Sequence, residues 1–215
     1  MELLDRLSAI PYTGAISDIL DEMGMRQQVL PHAIRAMEPG STIVGRALTV
    51  LGEPAEGLSR DDYFLSYLSM LGSVKPGDVI VTQPNDLTVA HFGELSAETA
   101  KLRGGRGAII DGGIRDLDYI ARLGFPIFAR YHTPLDTIGR WRLLEINTTI
   151  TIGNTRVASG DYLVGDRDGI VVIPHGVAGE VVGQAEQVVH TENDVRKAIL
   201  EGVDPVQAYQ RYGRF

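Results

Sequence analysis

Apolar residues in the middle of the chain follow two alternating patterns. Short continuous apolar runs, as in KPGDVIVTQP and RGAIIDGG, are typical of buried strands, and glycine or proline marks a turn beside each. Between and after them, AHFGELSAETAKLRGG and IRDLDYIARLG have helical spacing and end at glycines. This order of strand, helix, strand and helix predicts an α/β architecture.

The flanking regions predict further elements of the same domain. YTGAISDILDEMG predicts a helix capped by Thr13 and ended by Gly24, and STIVGRALTVLG predicts a strand interrupted at Gly45. ITIGNTRVASGDYLVGDRDGIVVIP predicts a β meander, and a long helix follows over about 177–202. We therefore expect residues 1–215 to form one layered α/β domain, with a mixed central β-sheet and outer helices.

Composition narrows the classes of function. The net charge is −8, and lysine and arginine are scattered, so no basic stripe is available for a nucleic-acid backbone. The absence of cysteine excludes disulfides, thiolate nucleophiles and Cys-ligated zinc. No signal pattern and no bilayer-spanning apolar run occur. We expect a soluble, cytoplasmic protein that binds neither nucleic acid nor membrane.

Two strand-to-helix turns carry the strongest candidate chemistry. FGELS (92–96) and GGIRD (112–116) each place glycine before a predicted helix start, at the carboxyl end of a predicted strand. Open α/β sheets bind their ligands at such ends. Twenty residues separate Glu94 from Arg115, enough for one helix and one returning strand. We expect both turns to meet at one edge of the sheet, with Gly93, Gly112 and Gly113 allowing the backbone to turn.

The residues of these turns suit a metal and an anion. The backbone amides of Leu95 and Ser96 lie in a predicted first helical turn, where unpaired N–H groups attract anions. The carboxylates of Glu94 and Asp116 suit a hard cation such as Mg²⁺, and the Arg115 guanidinium suits a substrate carboxylate. A plainer interpretation stays open, because an acid at a helix start also stabilises that helix and an arginine beside it is often only a surface charge.

The same segments resemble a known family. FGELSAETAKLRGGRGAIIDGGIRDLDYIARLGFPIFAR is similar to the RraA-like family, and so are TGAISDILDEMG, PGSTIVGRALTV, KPGDVIV and SGDYLVGDRDGIVVIP. The resemblance points to the family's enzyme branch, the 4-hydroxy-4-methyl-2-oxoglutarate aldolases that also decarboxylate oxaloacetate. It implies the swivelling β/β/α type of fold.

The resemblance also implies roles for individual residues. Asp116 would ligate the divalent metal, Mg²⁺, Mn²⁺ or another divalent cation, and Glu94 would act through metal-bound water. Arg115 would bind the pyruvyl part of a small 2-oxo acid together with the Leu95 and Ser96 amides, with Gly93 beside them. The reaction would pass through a metal-stabilised pyruvate enolate, as in class II aldolases. No lysine lies in the two turns, so a Schiff-base mechanism is not suggested.

Relatives of this kind form trimers or dimers of trimers, and a glutamate from the C-terminal helix of a neighbouring subunit approaches the metal waters. Glu192 is the candidate for that glutamate here. One position departs from the family pattern: the acid that many relatives carry three residues after the aspartate is Tyr119 in this chain. The segment YHTPLDTIGRW is a subgroup feature that points to another substrate.

Two alternatives follow from the same sequence. The family also contains a regulator that binds and inhibits an RNA-degrading endonuclease, so the fold alone does not decide for an enzyme.

The histidines lack metal-ligand spacing, which argues against a histidine-zinc site. His91 precedes the Glu94 turn by three residues, and we expect it to be a packed or surface residue rather than part of the pocket.

Overall fold

The computed structural model of the chain describes residues 2–10 and 12–214. Helices form the outer layers of this α/β fold, as the sequence predicts. The helices are α1 (Leu3–Ser8), α2 (Thr13–Glu22), α3 (Arg60–Gly72), α4 (Glu94–Leu102), α5 (Leu117–Leu123), α6 (Ala178–Leu200) and α7 (Pro205–Tyr212).

The central sheet is mixed. The strands are β1 (Arg35–Ala36), β2 (Ile43–Pro54), β3 (Asp78–Gln83), β4 (Ala90–Phe92), β5 (Gly107–Ile114), β6 (Ile127–His132), β7 (Trp141–Ile146), β8 (Ile150–Ile152), β9 (Thr155–Val157), β10 (Tyr162–Gly165) and β11 (Ile170–Ile173). The main path through the sheet is β1-β6-β5-β3-β2-β10-β11; β4 pairs with β5, and β7 pairs with β2. The pairs β2–β3, β3–β5, β4–β5 and β5–β6 are parallel, and antiparallel pairs complete the two sides. The predicted fold class is confirmed.

The predicted meander is only partly right. Strands β8 and β9 pair with each other as a separate antiparallel hairpin, whereas β10 and β11 extend the central sheet. The predicted interruption at Gly45 is wrong, because β2 runs through it. A Cβ atom at Gly45 would lie 2.6 Å from Val79 Cγ2 and 2.7 Å from the Gly77 carbonyl oxygen. Glycine is therefore required there for close packing of β2 on β3.

The first long helix is held differently from the prediction. Thr13 is the first residue of α2 rather than its cap, and it is bound by a carboxylate far along the chain. Asp166 accepts hydrogen bonds from the Thr13 amide at 2.8 Å and from the Thr13 hydroxyl at 2.9 Å. The same side chain accepts from the Asp168 amide at 2.8 Å, so it shapes its own turn as well. No nearby sequence signal reveals a contact across this many residues.

Separate hydrophobic clusters cover the two faces of the sheet. On one face α3, α4 and α5 pack against the parallel strands, with Leu71, Ile110 and Trp141 buried. Beside them on the same face, α1, α2 and the first half of α6 cover β10 and β11, with Ile16 and Val181 buried, and a third cluster beneath the β8–β9 hairpin covers the opposite face. Each large apolar side chain fully removed from water contributes about 1.5–3 kcal/mol. This packing leaves the carboxyl ends of β4 and β5 open at one edge.

The long C-terminal helix begins and ends within two residues of the predicted bounds. Its early residues pack within the chain, whereas Leu200 near its end is 82% exposed. Among the described residues, no helix is both long and apolar enough to cross a membrane.

Candidate active site

The two predicted turns lie side by side. Strands β4 and β5 pair in parallel, with Phe92 opposite Ile114, and the Arg115 amide donates a hydrogen bond to the Phe92 carbonyl at 3.0 Å. One residue separates β4 from α4, and two residues separate β5 from α5. Parallel pairing brings both strand ends to the same edge of the sheet. The predicted meeting of the two turns is confirmed.

Asp116 connects the two turns. Its backbone is left-handed, with φ 63° and ψ 35°, a conformation that Asp tolerates better than most residues. Its carboxylate does not cap its own helix α5; instead Oδ2 accepts a hydrogen bond from the Glu94 amide at 3.1 Å, at the start of α4. Oδ2 also lies 3.5 Å from Arg115 Nε. The carboxylate therefore bonds the start of the neighbouring helix α4 rather than capping its own helix.

Glycine is required at these turns because of crowding. The prediction that Gly112 and Gly113 form the turn is wrong, since both lie inside β5. A Cβ atom at Gly112 would lie 2.8 Å from His91 Nδ1, and one at Gly113 would lie 2.6 Å from the Val89 carbonyl oxygen. At Gly93, whose backbone is extended, a Cβ atom would lie 2.6 Å from Asp116 Oδ2.

The start of α4 offers free backbone donors. The Ala97 amide donates to the Gly93 carbonyl at 3.0 Å, which is the first bond of the helical pattern, and the Glu94 amide is taken by Asp116. The amides of Leu95 and Ser96 donate to no acceptor within the described part of the chain. Such N–H groups at the positive end of a helix bind anions. Both amides lie in the first turn of α4, as the sequence predicts.

Arg115 lies between two carboxylates. Besides Asp116 on the Nε side, its NH1 lies 3.1 Å from Asp136 Oδ2. The other oxygen of Asp136, Oδ1, accepts from the Ile138 amide at 3.1 Å and from the Thr137 hydroxyl at 3.3 Å. Burial of the Asp136 carboxylate opposes its ionisation, but the Ile138 amide and the Arg115 guanidinium outweigh it. The pKa of Asp136 therefore lies below its usual value, and the carboxylate stays charged at neutral pH.

Sequence reasoning missed Asp136. It lies in the segment YHTPLDTIGRW, which stood out as unusual without showing which residue would enter the site. The segment is placed by pairing, because the Ala90 amide at the start of β4 donates to the Leu135 carbonyl at 2.9 Å. An acid followed by a residue able to bond it is a common turn pattern, and only the fold brings this one to Arg115.

Two tyrosines of α3 support the site from behind. The Tyr67 hydroxyl donates to the His91 carbonyl at 2.8 Å and lies 3.1 Å from Ser96 Oγ. The Tyr63 hydroxyl bonds the buried Thr137 hydroxyl. Burial raises the pKa of both tyrosines, so both stay neutral. These bonds tie α3 to α4 and to the Asp136 segment.

His91 is a packed residue, as expected, because its side chain is fully buried, although the residue also borders the inner pocket. Its ring meets the Trp141 ring edge-on, with centroids 5.3 Å apart, and Nε2 lies 3.3 Å from Asp86 Oδ2. Burial lowers the pKa of His91 to about 4, although the Asp86 carboxylate opposes this. The imidazole is therefore neutral at pH 7.

Two pockets share Glu94, Arg115 and Asp116. The inner pocket, of about 200 Å³, is defined by these residues together with Leu95, Ser96, Asp136, Ile138 and the α3 side chains Tyr63, Phe64, Tyr67, Leu68 and Leu71. The outer pocket adds Asp118, Tyr119, Arg122 and His132 on the α5 side. The inner volume lies below the range of about 300–1,000 Å³ that drug-sized ligands occupy, so it suits a small metabolite.

The donor set fits a hydrated magnesium ion. In residues 2–10 and 12–214, no group of three or more acidic or histidine side chains is arranged to hold a metal ion. Mg²⁺ needs no such cluster, because it keeps several waters and binds through one or two carboxylates. The bonds of Asp116 use Oδ2, which leaves Oδ1 to ligate, and Glu94 is a neighbouring, half-buried acid. Asp116 would hold the ion directly, with Glu94 reaching its water shell.

Glu192 does not reach this site within one chain. It lies on α6 and lines a separate groove with Val195, Arg196, Ile199 and Leu200. Its predicted role belongs to a neighbouring subunit and stays a prediction.

The fold and site define an α/β protein with an arginine and an aspartate at one strand end, facing the start of a neighbouring helix. Residues 13–172 match the family described as RraA-like: Aldolase/RraA. The chain belongs to the RraA-like family.

Relatives span nearly the whole chain. A protein of Halalkalibacterium halodurans named "Putative 4-hydroxy-4-methyl-2-oxoglutarate aldolase" is 32% identical over 210 residues, covering 97% of this chain and 94% of that protein. The crystal structure of a Pseudomonas syringae protein superposes with a TM-score of 0.84 at 29% identity, covering 96% of each chain. Streptomyces coelicolor RraAS2, titled an unusual member of the RNase ES inhibitor RraA protein family, has a TM-score of 0.80 at 28% identity, covering 90% of this chain and 95% of that one.

Proposed function

We propose that this protein is a divalent-metal-dependent class II pyruvate aldolase and a carbon–carbon lyase. It would cleave 2-oxo acids that resemble 4-hydroxy-4-methyl-2-oxoglutarate and would decarboxylate oxaloacetate. The observation that carries this proposal is the meeting of Asp116, Arg115 and the free Leu95 and Ser96 amides at one sheet edge. The name of the Halalkalibacterium relative supports the same reaction class.

The residues divide the work between two parts of the substrate. Arg115 and the two amides would bind the carboxylate of the pyruvyl half and stabilise the negative charge that develops there. Asp116 would hold Mg²⁺ or Mn²⁺, and the bound ion supplies Lewis acidity at the keto oxygen. When the C3–C4 bond breaks, its electron pair stays with C3 and yields the enolate of pyruvate, which is then protonated at C3.

The two reactions differ in what leaves. In aldol cleavage the C4 hydroxyl must lose its proton, and the Glu94 carboxylate is our candidate to accept it through a water. The distal half then leaves as an aldehyde or ketone. In decarboxylation the C4 carboxylate leaves as CO₂, and no base is needed. One set of residues therefore serves both reactions.

We also propose that the working unit is a homotrimer or a dimer of trimers, in which Glu192 of a second copy reaches the site. Glu192 lies at a groove on the α6 end, away from its own Asp116. Light scattering gives the subunit number directly. Glu192→Gln should then slow aldol cleavage without changing that number, and unchanged activity would remove Glu192 from the mechanism.

Metal-dependent decarboxylation of oxaloacetate tests the proposed function. Pyruvate release is followed with lactate dehydrogenase after the enzyme is stripped with EDTA, and again after Mg²⁺ or Mn²⁺ is restored. We expect activity only with the ion, well above the rate of the ion without protein. Aldol cleavage of 4-hydroxy-4-methyl-2-oxoglutarate is measured in the same way. A rate no higher than the protein-free control in both assays would refute the proposal.

One alternative function is favoured by a specific similarity. RraAS2, titled as belonging to a family of nuclease inhibitors, superposes over most of this chain. A regulator of this kind would bind an RNA-degrading endonuclease and lower its rate on RNA. That assay, run on the same preparation, favours the regulator if inhibition occurs without decarboxylation.

A further inference from the structure

We propose that Arg130 is a positioning residue of the active site, which acts by locking a β-bulge in β5 through its ion pair with Asp111. The inference rests on the proposed function, because the residues that the bulge positions are Arg115 and Asp116, the proposed substrate-binding and metal-binding groups. Arg130 itself lies on β6, outside the residues that line the two pockets of the site. Its contribution would be to fix the direction in which the end of β5 leaves the sheet.

Strand β5 contains one extra residue relative to β6. Two residues of β5, Asp111 and Gly112, lie opposite a single residue of β6, Arg130. The pairs on either side of them are Ile110–Ala129 and Gly113–Tyr131. This is the arrangement of a β-bulge, which bends the strand and increases its twist. Bulges of this kind recur beside active sites, where they re-aim the side chains that follow.

The bulge is also the place where β5 changes its other neighbour. Up to Ile110 that neighbour is β3, and from Gly113 onwards it is β4. Strand β4 ends at the turn that begins α4, and β5 ends at the turn that carries Arg115 and Asp116. The relative position of the two turns therefore depends on the bulge, because only Gly113 and Ile114 separate it from Arg115.

Asp111 and Arg130 close the bulge through their side chains. Arg130 Nε donates to Asp111 Oδ1 at 2.5 Å, and the exposed fractions of the arginine and aspartate side chains are only 24% and 17%. Burial raises the pKa of Asp111, and the Arg130 guanidinium opposes that rise by favouring the charged form. A hydrogen bond between charged groups is strong and directional. The pair therefore fixes the two strands to each other at the bulge.

The glycines that follow Asp111 are packed by rings from the neighbouring strands. A Cβ atom at Gly112 would lie 2.8 Å from His91 Nδ1 of β4, and one at Gly113 would overlap the Tyr131 ring of β6. The Tyr131 hydroxyl donates to the Val89 carbonyl at 3.2 Å and so ties β6 to the segment that enters β4. A close-packed bulge has little room to relax. Loss of the ion pair would therefore be passed on to the end of β5 rather than absorbed locally.

A purely structural role is the simpler explanation of the ion pair, because a largely buried acid is costly without a partner. The two roles differ in whether lysine can replace Arg130. Lysine supplies the charge, but it lacks the planar guanidinium whose Nε bonds Asp111. All of these contacts lie within one chain, so they do not depend on which residues a second copy adds to the site.

Metal affinity without substrate tests the inference. The electron paramagnetic resonance signal of free Mn²⁺ gives the Kd of each protein directly. Arg130→Met should raise this Kd and lower kcat for oxaloacetate about tenfold or more, the loss usual when a residue that orients a metal ligand is removed. Arg130→Lys should recover the urea midpoint of unfolding but not the Mn²⁺ affinity, and it serves alone if Arg130→Met does not fold. Wild-type Mn²⁺ affinity in either variant would overturn the inference.

Arg142 provides the matched control. It bonds Glu53 across β7 and β2, beside another shift of register, and it lies outside the residues that line the two pockets of the site. Arg142→Met and Arg142→Lys should keep the wild-type Kd and kcat. A loss equal to that at Arg130 would show that any broken ion pair in the sheet weakens the site, and the special role of the bulge would be refuted.

Asp111→Asn, alone and combined with Arg130→Met, shows whether the two residues act through one bond. If they do, the double variant should lose no more Mn²⁺ affinity than Arg130→Met alone. Losses that multiply would mean that Arg130 acts through other contacts, against the inference.

The wild-type protein separates this inference from the proposed function. If it binds Mn²⁺ and decarboxylates oxaloacetate, and the Arg130 variants do so equally well, only the positioning role is removed. If it neither binds Mn²⁺ nor turns over oxaloacetate or the aldol, the proposed function is removed and the inference with it.

Discussion

Arg115 NH1 and Asp136 Oδ2 lie 3.1 Å apart, although the two residues come from different strand ends of the sheet. The Asp136 carboxylate bonds its own loop through Oδ1 and the arginine through Oδ2. This division of its oxygens holds the guanidinium in place before a ligand arrives. Asp136 is therefore a positioning residue, and its effect should appear in the binding of the pyruvyl carboxylate.

Asp136→Ala should raise the KM for oxaloacetate about tenfold and change kcat much less, because the guanidinium must then be ordered on binding. A tenfold change in KM corresponds to about 1.4 kcal/mol. Inhibition by oxalate should weaken by the same factor. Asp136→Asn keeps the bond to the loop, and its KM should lie between the values of the wild type and Asp136→Ala. Asp21→Asn removes the same charge at a distant position and is the control. A lower KM in Asp136→Ala would mean that Asp136 competes with the substrate for Arg115.

Arg115→Ala and Asp116→Ala should each lower decarboxylase activity at least tenfold. That corresponds to a loss of more than about 1.4 kcal/mol of transition-state stabilisation. Arg156→Ala, at an exposed arginine of β9, is the matched control for the first and should be fully active. Asp116→Asn keeps the shape of the side chain and one oxygen acceptor but loses the negative charge. The Mg²⁺ requirement of this variant therefore tests whether the charge is essential. Full activity in either alanine variant would exclude these residues from the reaction.

Gly93→Ala should damage the site while the fold survives. The backbone at Gly93 is extended and accepts any residue, but the new Cβ atom would lie 2.6 Å from Asp116 Oδ2 and 3.3 Å from Arg115 Cγ. We expect at least a tenfold loss of kcat/KM with little change in the urea midpoint. Gly183→Ala in α6 is the control, because its Cβ atom would meet nothing within 4 Å. Normal kinetics in Gly93→Ala would show that Asp116 can move without cost.

His91 should make the protein sensitive to acid. Its folded-state pKa of about 4 lies below the ordinary value of 6.5, so the folded protein binds fewer protons at this residue than the unfolded chain. Its contribution to stability is thus complete above pH 6.5 and is lost as the pH falls towards 4. The loss is about 3 kcal/mol, since each pKa unit corresponds to about 1.4 kcal/mol.

Urea unfolding between pH 7 and pH 4 measures this effect. The wild-type free energy of unfolding should fall more steeply than that of His91→Gln, whose side chain does not titrate. Acidic groups other than Asp86 contribute equally to both curves, so the difference in slope reports the imidazole together with its interaction with Asp86. Parallel curves would show that His91 titrates normally in the folded protein.

Much of the architecture could be predicted from periodicity, because alternating apolar runs and helical stretches report local structure directly. The prediction that Glu94 and Arg115 meet depended on one further rule, that a helix and a returning strand bring two strand ends to one edge. That rule is general for parallel sheets, and here β4 and β5 obey it.

What the sequence could not show depends on distant contacts. The bond between Asp166 and Thr13 and the pairing of Asp136 with Arg115 join residues that share no local pattern. The roles of two glycines also depend on distant contacts. The sequence predicts a turn at Gly112 and Gly113, yet these glycines lie within β5 and allow His91 and the Val89 carbonyl to approach the strand closely. Crowding by distant residues leaves no mark in a single sequence.

The pairing of β4 with β5 makes the site intolerant of length changes. Phe92 faces Ile114 at the ends of the two strands, and the residues that follow them are Gly93 and Arg115. Successive side chains on a strand point to opposite faces, so one residue inserted within β5 would turn Arg115 away from the inner pocket and move Asp116 from the start of α4. The count of residues from Gly107 to Asp116 must therefore stay constant if the Asp116 carboxylate is to bond the start of α4.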